Sequence, residues 1–254
     1  MSLPREVKFK CQNCGKTYEG MIWDTVNSMI TPEMKPHVMD LSIFTKTCPH
    51  CHEENPVLYP ILYHQMEDKF MVQFMQDNRI SDFMSNLPDN VNPWKLSQDD
   101  GYYIRIANDP YSFAEKIMLF DNKMDDRAVE LVKFALLRRV VHEEKDPEAF
   151  FDHQIDIITM LENADAAPDS DERYKFYVML DGEPYITAPL VMDMYKDFKK
   201  DVDNVFGPIE SDRSTNINLS WAMKAINPIA EAKCNGGSDT DKNSKEDDED
   251  KDGE

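Results

Sequence analysis

Two pairs of thiols sit in two short turns: Cys11-Gln12-Asn13-Cys14, followed by Gly15, and Cys48-Pro49-His50-Cys51. A CxxC turn curls the backbone so that both sulfurs face one centre, and amides near the second cysteine can donate to them. Two such turns supply four thiolates, the complement of a closed structural zinc site. The spacing therefore predicts Cys11, Cys14, Cys48 and Cys51 as metal ligands and structural Zn2+ as the cofactor. Thirty-three residues separate Cys14 from Cys48, more than a simple zinc ribbon needs, and an insert around Thr31–Leu41 accounts for the excess.

Other chemistries compete for these thiols. A redox dithiol of the thioredoxin type needs one CxxC at a helix N-terminus, where the dipole lowers a thiol pKa. Neither pair opens a clear amphipathic helix. An iron–sulfur cluster also accepts four thiolates, and the two-knuckle pattern favours zinc over it. A catalytic zinc keeps a position open for water, which four thiolates leave no room for. His50 and His52 read as exposed knuckle side chains, His64 as a strand-end residue and Cys234 as a free thiol. Asp121, Asp125 and Asp126 cluster at a turn between helices, where capping explains them. Arg138 and Arg139 suit a helix C-terminus. Methionines such as Met71 and Met118, and Trp23, Trp94 and Trp221, read as packing residues. No phosphate-binding glycine loop, HExxH or Gly-x-Ser-x-Gly motif occurs.

The positioning elements read as follows. Val7–Lys10 enters the first knuckle and Lys16–Val26 leaves it. Thr31-Pro32-Glu33 starts a short or irregular helix that ends before Ser42. Ser42–Thr47 enters the second knuckle, and Val57–Tyr63 and Lys69–Gln73 are strands. Residues 79–101, with Asn86-Leu87-Pro88-Asp89, are a loop, and Tyr102–Ile106 is a strand. Asp109-Pro110 opens one helix. Asp125 or Asp126 caps a second, on which Val129, Val132, Leu136 and Val140 recur at spacings of three and four. Residues 147–162 mix helix and strand signals. Tyr174–Leu180 and Glu183–Ala188 flank an Asp181-Gly182 turn as a hairpin, with Pro184 placing its second strand at an edge. Val191–Val202 is a helix, and order is expected to fail from Lys233 onward. Residues 238–254 hold nine acids and three lysines and no apolar residue, so the tail cannot offset its ordering entropy by burial.

The 254 residues carry 28 basic and 49 acidic side chains, a formal charge of -21. That field repels phosphate backbones and argues against general nucleic-acid or anionic-membrane binding. No apolar run is long enough to span a bilayer, and the N-terminus lacks the apolar segment of a signal peptide. A cytoplasmic location follows as the expectation, and there thiols stay reduced and bind metal.

These residues resemble the CpXC domain family, of mostly bacterial and archaeal origin and named for two Cys-Pro-x-Cys motifs. The resemblance rests on the two knuckles, on Phe44–Cys51 and Leu58–His64, and on Glu115–Asp121 and Asp125–Leu131 as the helical part. It spans roughly residues 6–142. Gln12 replaces the proline of the first motif, and His52 stands where a knuckle often has glycine, which strains the second turn. The resemblance implies metal-binding cysteines and supplies no substrate.

The sequence thus predicts an α+β fold in three parts. Residues 1–78 form a zinc-ribbon-like β unit with a helical insert, 79–233 a helix pair and a small antiparallel sheet, and 234–254 a disordered acidic tail. The functional expectation is a zinc-stabilised interaction or adaptor module with a protein partner and no membrane insertion. Two alternatives stand beside it: a redox-responsive zinc protein, and an enzyme with a site between the ribbon and the helical part, for which His64, Asp121 and Arg127 are the polar residues to inspect. No catalytic residue and no further cofactor-binding residue is assigned.

Overall fold

The computed structural model describes residues 2–76, 101–143, 154–168, 170, 172–212 and 214–236. Most of the loop expected over 79–101, Trp94 and the tail from residue 238 lie outside them. The described chain is an α+β structure with a five-stranded mixed sheet, a three-stranded antiparallel sheet and a two-stranded ribbon.

Strand β1 (Leu3–Lys10) turns at the first knuckle into β2 (Thr17–Asn27), antiparallel from Leu3↔Thr25 to Lys10↔Thr17. The last three residues of β2 pair in parallel with β5 (Ile61–Gln65), and β5 pairs antiparallel with β6 (Phe70–Phe74). Between β2 and β5 lie α1 (Met34–Met39), a 3-10 turn (Ser42–Phe44), and the ribbon of β3 (Thr45–Thr47) and β4 (Glu54–Pro56), which carries the second knuckle. Pro36 falls in the first turn of α1, where amides have no intrahelical acceptor, so the short helix tolerates it.

Strand β7 (Tyr103–Ala107) runs parallel to β6, so the sheet begun before residue 78 takes its fifth strand from after it. Helix α2 (Pro110–Asp121) starts as expected: Asp109 Oδ1 accepts the Ser112 amide at 2.8 Å, and proline fills the first helical position. It packs against β6 and β7 on one side and β8 on the other. Helix α3 (Asp126–Glu143) follows, its start fixed by Asp125 Oδ1 accepting the Arg127 amide at 3.0 Å. Strands β8 (Ile155–Glu162), β9 (Tyr174–Leu180) and β10 (Glu183–Pro189) form the smaller sheet, with β10 and its Pro184 at the edge. The mixed signals before Glu162 thus resolve as strand from Ile155.

Helix α4 (Met192–Phe206) outruns its expected end by four residues and stops at Gly207, whose φ of 77° breaks the helix. Helix α5 (Leu219–Gly236) continues through Lys233, where order was expected to fail. Asn218 Oδ1 caps it by accepting the Trp221 amide at 3.0 Å. Ala222, Ala225 and Ile229 form its buried stripe, at spacings of three and four across Pro228. That apolar stripe against α3 holds the helix together despite the proline.

Besides a small cluster at the cysteine knuckles, three apolar clusters form among the described residues. One underlies the large sheet, with Val26, Ile61, Tyr63, Phe70, Phe74 and Phe113 at its centre. A second joins α3 to the small sheet through Val129, Val132, Met160, Phe176 and Val178. A third packs Leu131 of α3 and Val202 of α4 against α5. Helix α3 belongs to both of the last two, which explains its burial on more than one face.

Candidate metal centre

Both knuckles close with the same backbone pattern. Cys11 N–H donates to Lys16 O at 2.9 Å and Gly15 N–H to Cys11 O at 3.0 Å. Cys48 N–H donates to Glu53 O at 2.8 Å and His52 N–H to Cys48 O at 2.9 Å. Gly15 and His52 hold the same place in their turns, and both lie in the left-handed region, at φ 72° and 61°. Glycine takes that conformation freely. Histidine pays sterically for it, so the strain expected at His52 is present.

The turns bring all four Sγ atoms within 4.8 Å of one another. Two contacts join the knuckles: Cys11 Sγ to Cys51 Sγ at 3.6 Å and Cys14 Sγ to Cys48 Sγ at 3.8 Å. A tetrahedron with metal–sulfur bonds of about 2.3 Å has edges of about 3.8 Å, close to these two contacts, so the quartet could hold one metal ion. Cys11 and Cys48 are buried, Cys51 is half-buried and Cys14 is exposed. Tyr18 and Phe9 pack on the inner side of the cluster.

The electrostatics agree with a cation-binding role. The Cys14 amide, donating to Cys11 Sγ at 3.5 Å, lowers the Cys11 thiol to about 6, against the opposing effect of burial. The Glu53 amide pulls the Cys51 thiol the same way. Burial and the three neighbouring sulfurs outweigh it and push Cys51 up to about 12. Four thiolates this close repel one another, and a divalent cation removes that conflict by replacing the protons.

Asn55 on β4 is a positioning residue that sequence reasoning missed. It is 4% exposed. Its Oδ1 accepts the Gln12 amide of the first knuckle at 2.9 Å, and its Nδ2 donates to Glu53 O of the second at 3.0 Å. One side chain thus ties the turns together before any metal does. A lone amide four residues past the second cysteine, between a run of glutamates and a proline, is the only trace it leaves in the sequence.

The remaining candidates fall elsewhere. His50 and His52 are exposed, as expected. His64 lies within β5, its Nε2 3.1 Å from Tyr102 Oη, and burial lowers its pKa. Cys234 is exposed on α5, outside the quartet. Arg138 and Arg139 are exposed near the end of α3. Met71 and Met118 are core residues, and Trp23 and Trp221 pack against apolar clusters.

Asp125 and Asp126 do more than cap. Arg127, fully buried, donates through Nε and Nη2 to both oxygens of Asp125 at 3.0 and 2.7 Å, and also reaches Asp203 and Asp212 at 3.2 Å. Asp126 takes a two-pronged bond from Arg105 at 2.7 and 3.0 Å, a bond from Tyr103 Oη at 2.8 Å, and Lys116 at 3.0 Å. From Lys116 the chain of charge runs on to Glu130 at 3.1 Å, Lys133 at 3.1 Å and Glu115 at 2.5 Å, which accepts the Met160 amide at 2.9 Å. These six side chains are at most 4% exposed. Burial would raise the Asp126 carboxyl, but Arg105 and Lys116 hold it well below the usual carboxylate range. Burial wins at Glu115, whose partner Lys133 is shared with Glu130, and its pKa is raised.

His64, Asp121 and Arg127 do not converge. A cavity of about 550 Å³ between the large sheet and the helices is lined by Asp121, Tyr103, Phe120 and Lys199, and neither His64 nor Arg127 lines it. Asp121 is held by Lys35 at 2.7 Å. Among the described residues no helix is long and apolar enough to cross a membrane.

Searches of curated proteins and of solved structures found no match. Residues 9–133 match the model of the CpXC protein family, and this stretch, from the end of β1 to the middle of α3 with both cysteine knuckles inside it, belongs to that family.

Proposed function

We propose that Cys11, Cys14, Cys48 and Cys51 bind one Zn2+ as a structural cross-link, and that the chain is a cytoplasmic protein-interaction module. The observation that carries the metal reading is the quartet itself: four sulfurs within 4.8 Å, delivered by two turns of matched geometry. Soft thiolates in a tetrahedral set select zinc over hard oxygen-seeking cations, and a sphere filled by protein leaves no open position for substrate. The metal pins the β3–β4 ribbon to the β1–β2 hairpin, where, among the described residues, the cluster around the sulfurs is Cys11, Tyr18 and Cys48 with Phe9 and Cys51 at its margin.

The interaction role draws support from the outward face of the small sheet. Tyr177, Tyr185, Leu161 and Ile155 of this sheet are each between 38% and 46% exposed, and the register places Tyr177 and Leu161 on the face opposite Phe176 and Val178. Exposed tyrosines flanked by aliphatic side chains suit a protein partner, while the acidic balance disfavours nucleic acid. Metal analysis of the purified protein tests the first part: one zinc per chain is expected, and a well-folded metal-free protein overturns it. For the second, Tyr177→Glu should abolish a complex that the unaltered protein forms in extracts of its source, with zinc content unchanged.

A further inference from the structure

We propose that the quartet is also an oxidation site for hydroperoxides, and that its product is a pair of disulfides joining one knuckle to the other: Cys14 to Cys48, and Cys11 to Cys51. The inference rests on the zinc reading above and extends it.

Three observations carry it. Two sulfur–sulfur contacts, at 3.6 and 3.8 Å, cross between the knuckles and use each of the four sulfurs once. Each contact pairs a sulfur that solvent reaches, Cys14 or Cys51, with one that is buried, Cys48 or Cys11. An accessible sulfur that meets the oxidant, backed by a buried one that resolves it, is the arrangement a reversible thiol switch requires. Within the first knuckle, by contrast, Cys11 Sγ is held as the acceptor of the Cys14 amide.

The Cys14 thiolate attacks one peroxide oxygen, the O–O bond breaks, and the departing oxygen takes a proton from solvent. Cys14 is left as a sulfenic acid. The Cys48 thiolate then attacks Cys14 Sγ and expels hydroxide, which solvent protonates to water. Two sulfurs have given two electrons to one peroxide. A second peroxide does the same at Cys51 and Cys11. Four thiolates, two hydrogen peroxide molecules and four protons give two disulfides and four waters, and Zn2+ leaves.

The pairing decides the outcome for the fold. A disulfide within a CxxC closes a trivial loop and ties nothing together. Bonds spanning 34 and 40 positions keep the ribbon attached to the hairpin after the ion has gone. Zinc loss by oxidation therefore preserves the knuckles, whereas zinc loss by chelation releases them.

The test uses the full-length Cys234→Ser protein, which removes the exposed thiol outside the quartet, with its zinc content measured first. Hydrogen peroxide is added in steps under a chromogenic chelator. The expected result is one zinc released per two peroxides. Non-reducing tryptic mapping should show the Cys11–Lys16 peptide linked to the Thr47–Lys69 peptide, with fragmentation assigning Cys14 to Cys48 and Cys11 to Cys51. Disulfides confined within each peptide, sulfinic acids without disulfide, or zinc retained under excess peroxide would overturn the proposal. A protein that contains no zinc at the outset contradicts the metal reading instead, and mapping of its oxidised form still tests the pairing.

Discussion

At the knuckles, four thiols converge where two hairpins meet, and among the described residues Cys11, Tyr18 and Cys48 form the buried cluster there. At the α2–α3 interface, six charged side chains run in a line from Arg105 to Glu115 inside a region that already has a large apolar core. Both are polar cross-links, one at a partly exposed sulfur cluster and the other fully buried, and they differ in what stands behind them. On the proposed zinc reading, removing the ion leaves Asn55 as the side chain bridging the two turns, while structural zinc supplies folding free energy on the order of 10 kcal/mol or more. Removing the charge layer as a whole would leave apolar packing around it, and replacing such a network with well-packed apolar groups is often neutral. The first cross-link therefore makes the local fold, while the second fixes how two helices register on β7.

The largest effect separates the two directly. Cys48→Ser should abolish zinc binding and unfold the knuckles, because the lost metal free energy exceeds the margin by which a domain is stable. Metal analysis and near-ultraviolet circular dichroism check it.

Next comes Asp126→Asn, which leaves Arg105 buried without its carboxylate and Lys116 with Glu130 alone, and should cost about 3–5 kcal/mol. Urea unfolding measures it, and zinc content should be unchanged. The same carboxylate sets a pH dependence. Its folded pKa is depressed, so its contribution is complete above the unfolded value of about 4 and is lost as pH falls below that. Glu115 runs the other way: its raised pKa favours the fold at low pH and opposes it as pH rises. In Asp126→Asn the acid-side loss of stability should flatten.

Asn55→Ala strips the Gln12 amide and the Glu53 carbonyl of their buried partner, at a cost of about 1–3 kcal/mol. The loss should appear as faster zinc release to a competing chelator, since Asn55 joins the two turns. The smallest effect has the opposite sign. His52→Gly relieves the left-handed backbone at φ 61° and should stabilise the zinc-bound protein by about 1 kcal/mol, read as a rise in melting temperature.

The comparison also explains what the sequence disclosed. CxxC spacing is legible because two residues between ligands is a geometric requirement, and it identified the four sulfurs that meet. Val129, Val132, Leu136 and Val140 announced α3 by the same kind of periodicity, and all four belong to one core cluster. Lys116, Glu130 and Lys133 carry no such mark, because a charged residue on a helix reads as a solvated one until the partner helix is in place. Asp126 was legible only as a cap. Its second role depends on Arg105, brought to it by the pairing of β7 with β6 across a long stretch of chain. Helix α5 escaped because Pro228 interrupts an otherwise clear apolar stripe, and the stripe gains its meaning only against Leu131 and Val202.

Hydrogen exchange with and without a zinc chelator, on the reduced full-length protein, tests the central claim most directly. The account predicts that chelation strips protection from residues 9–20 and 44–56 and leaves α2, α3 and β9 protected. Protection unchanged at the knuckles, or lost equally throughout, would contradict it.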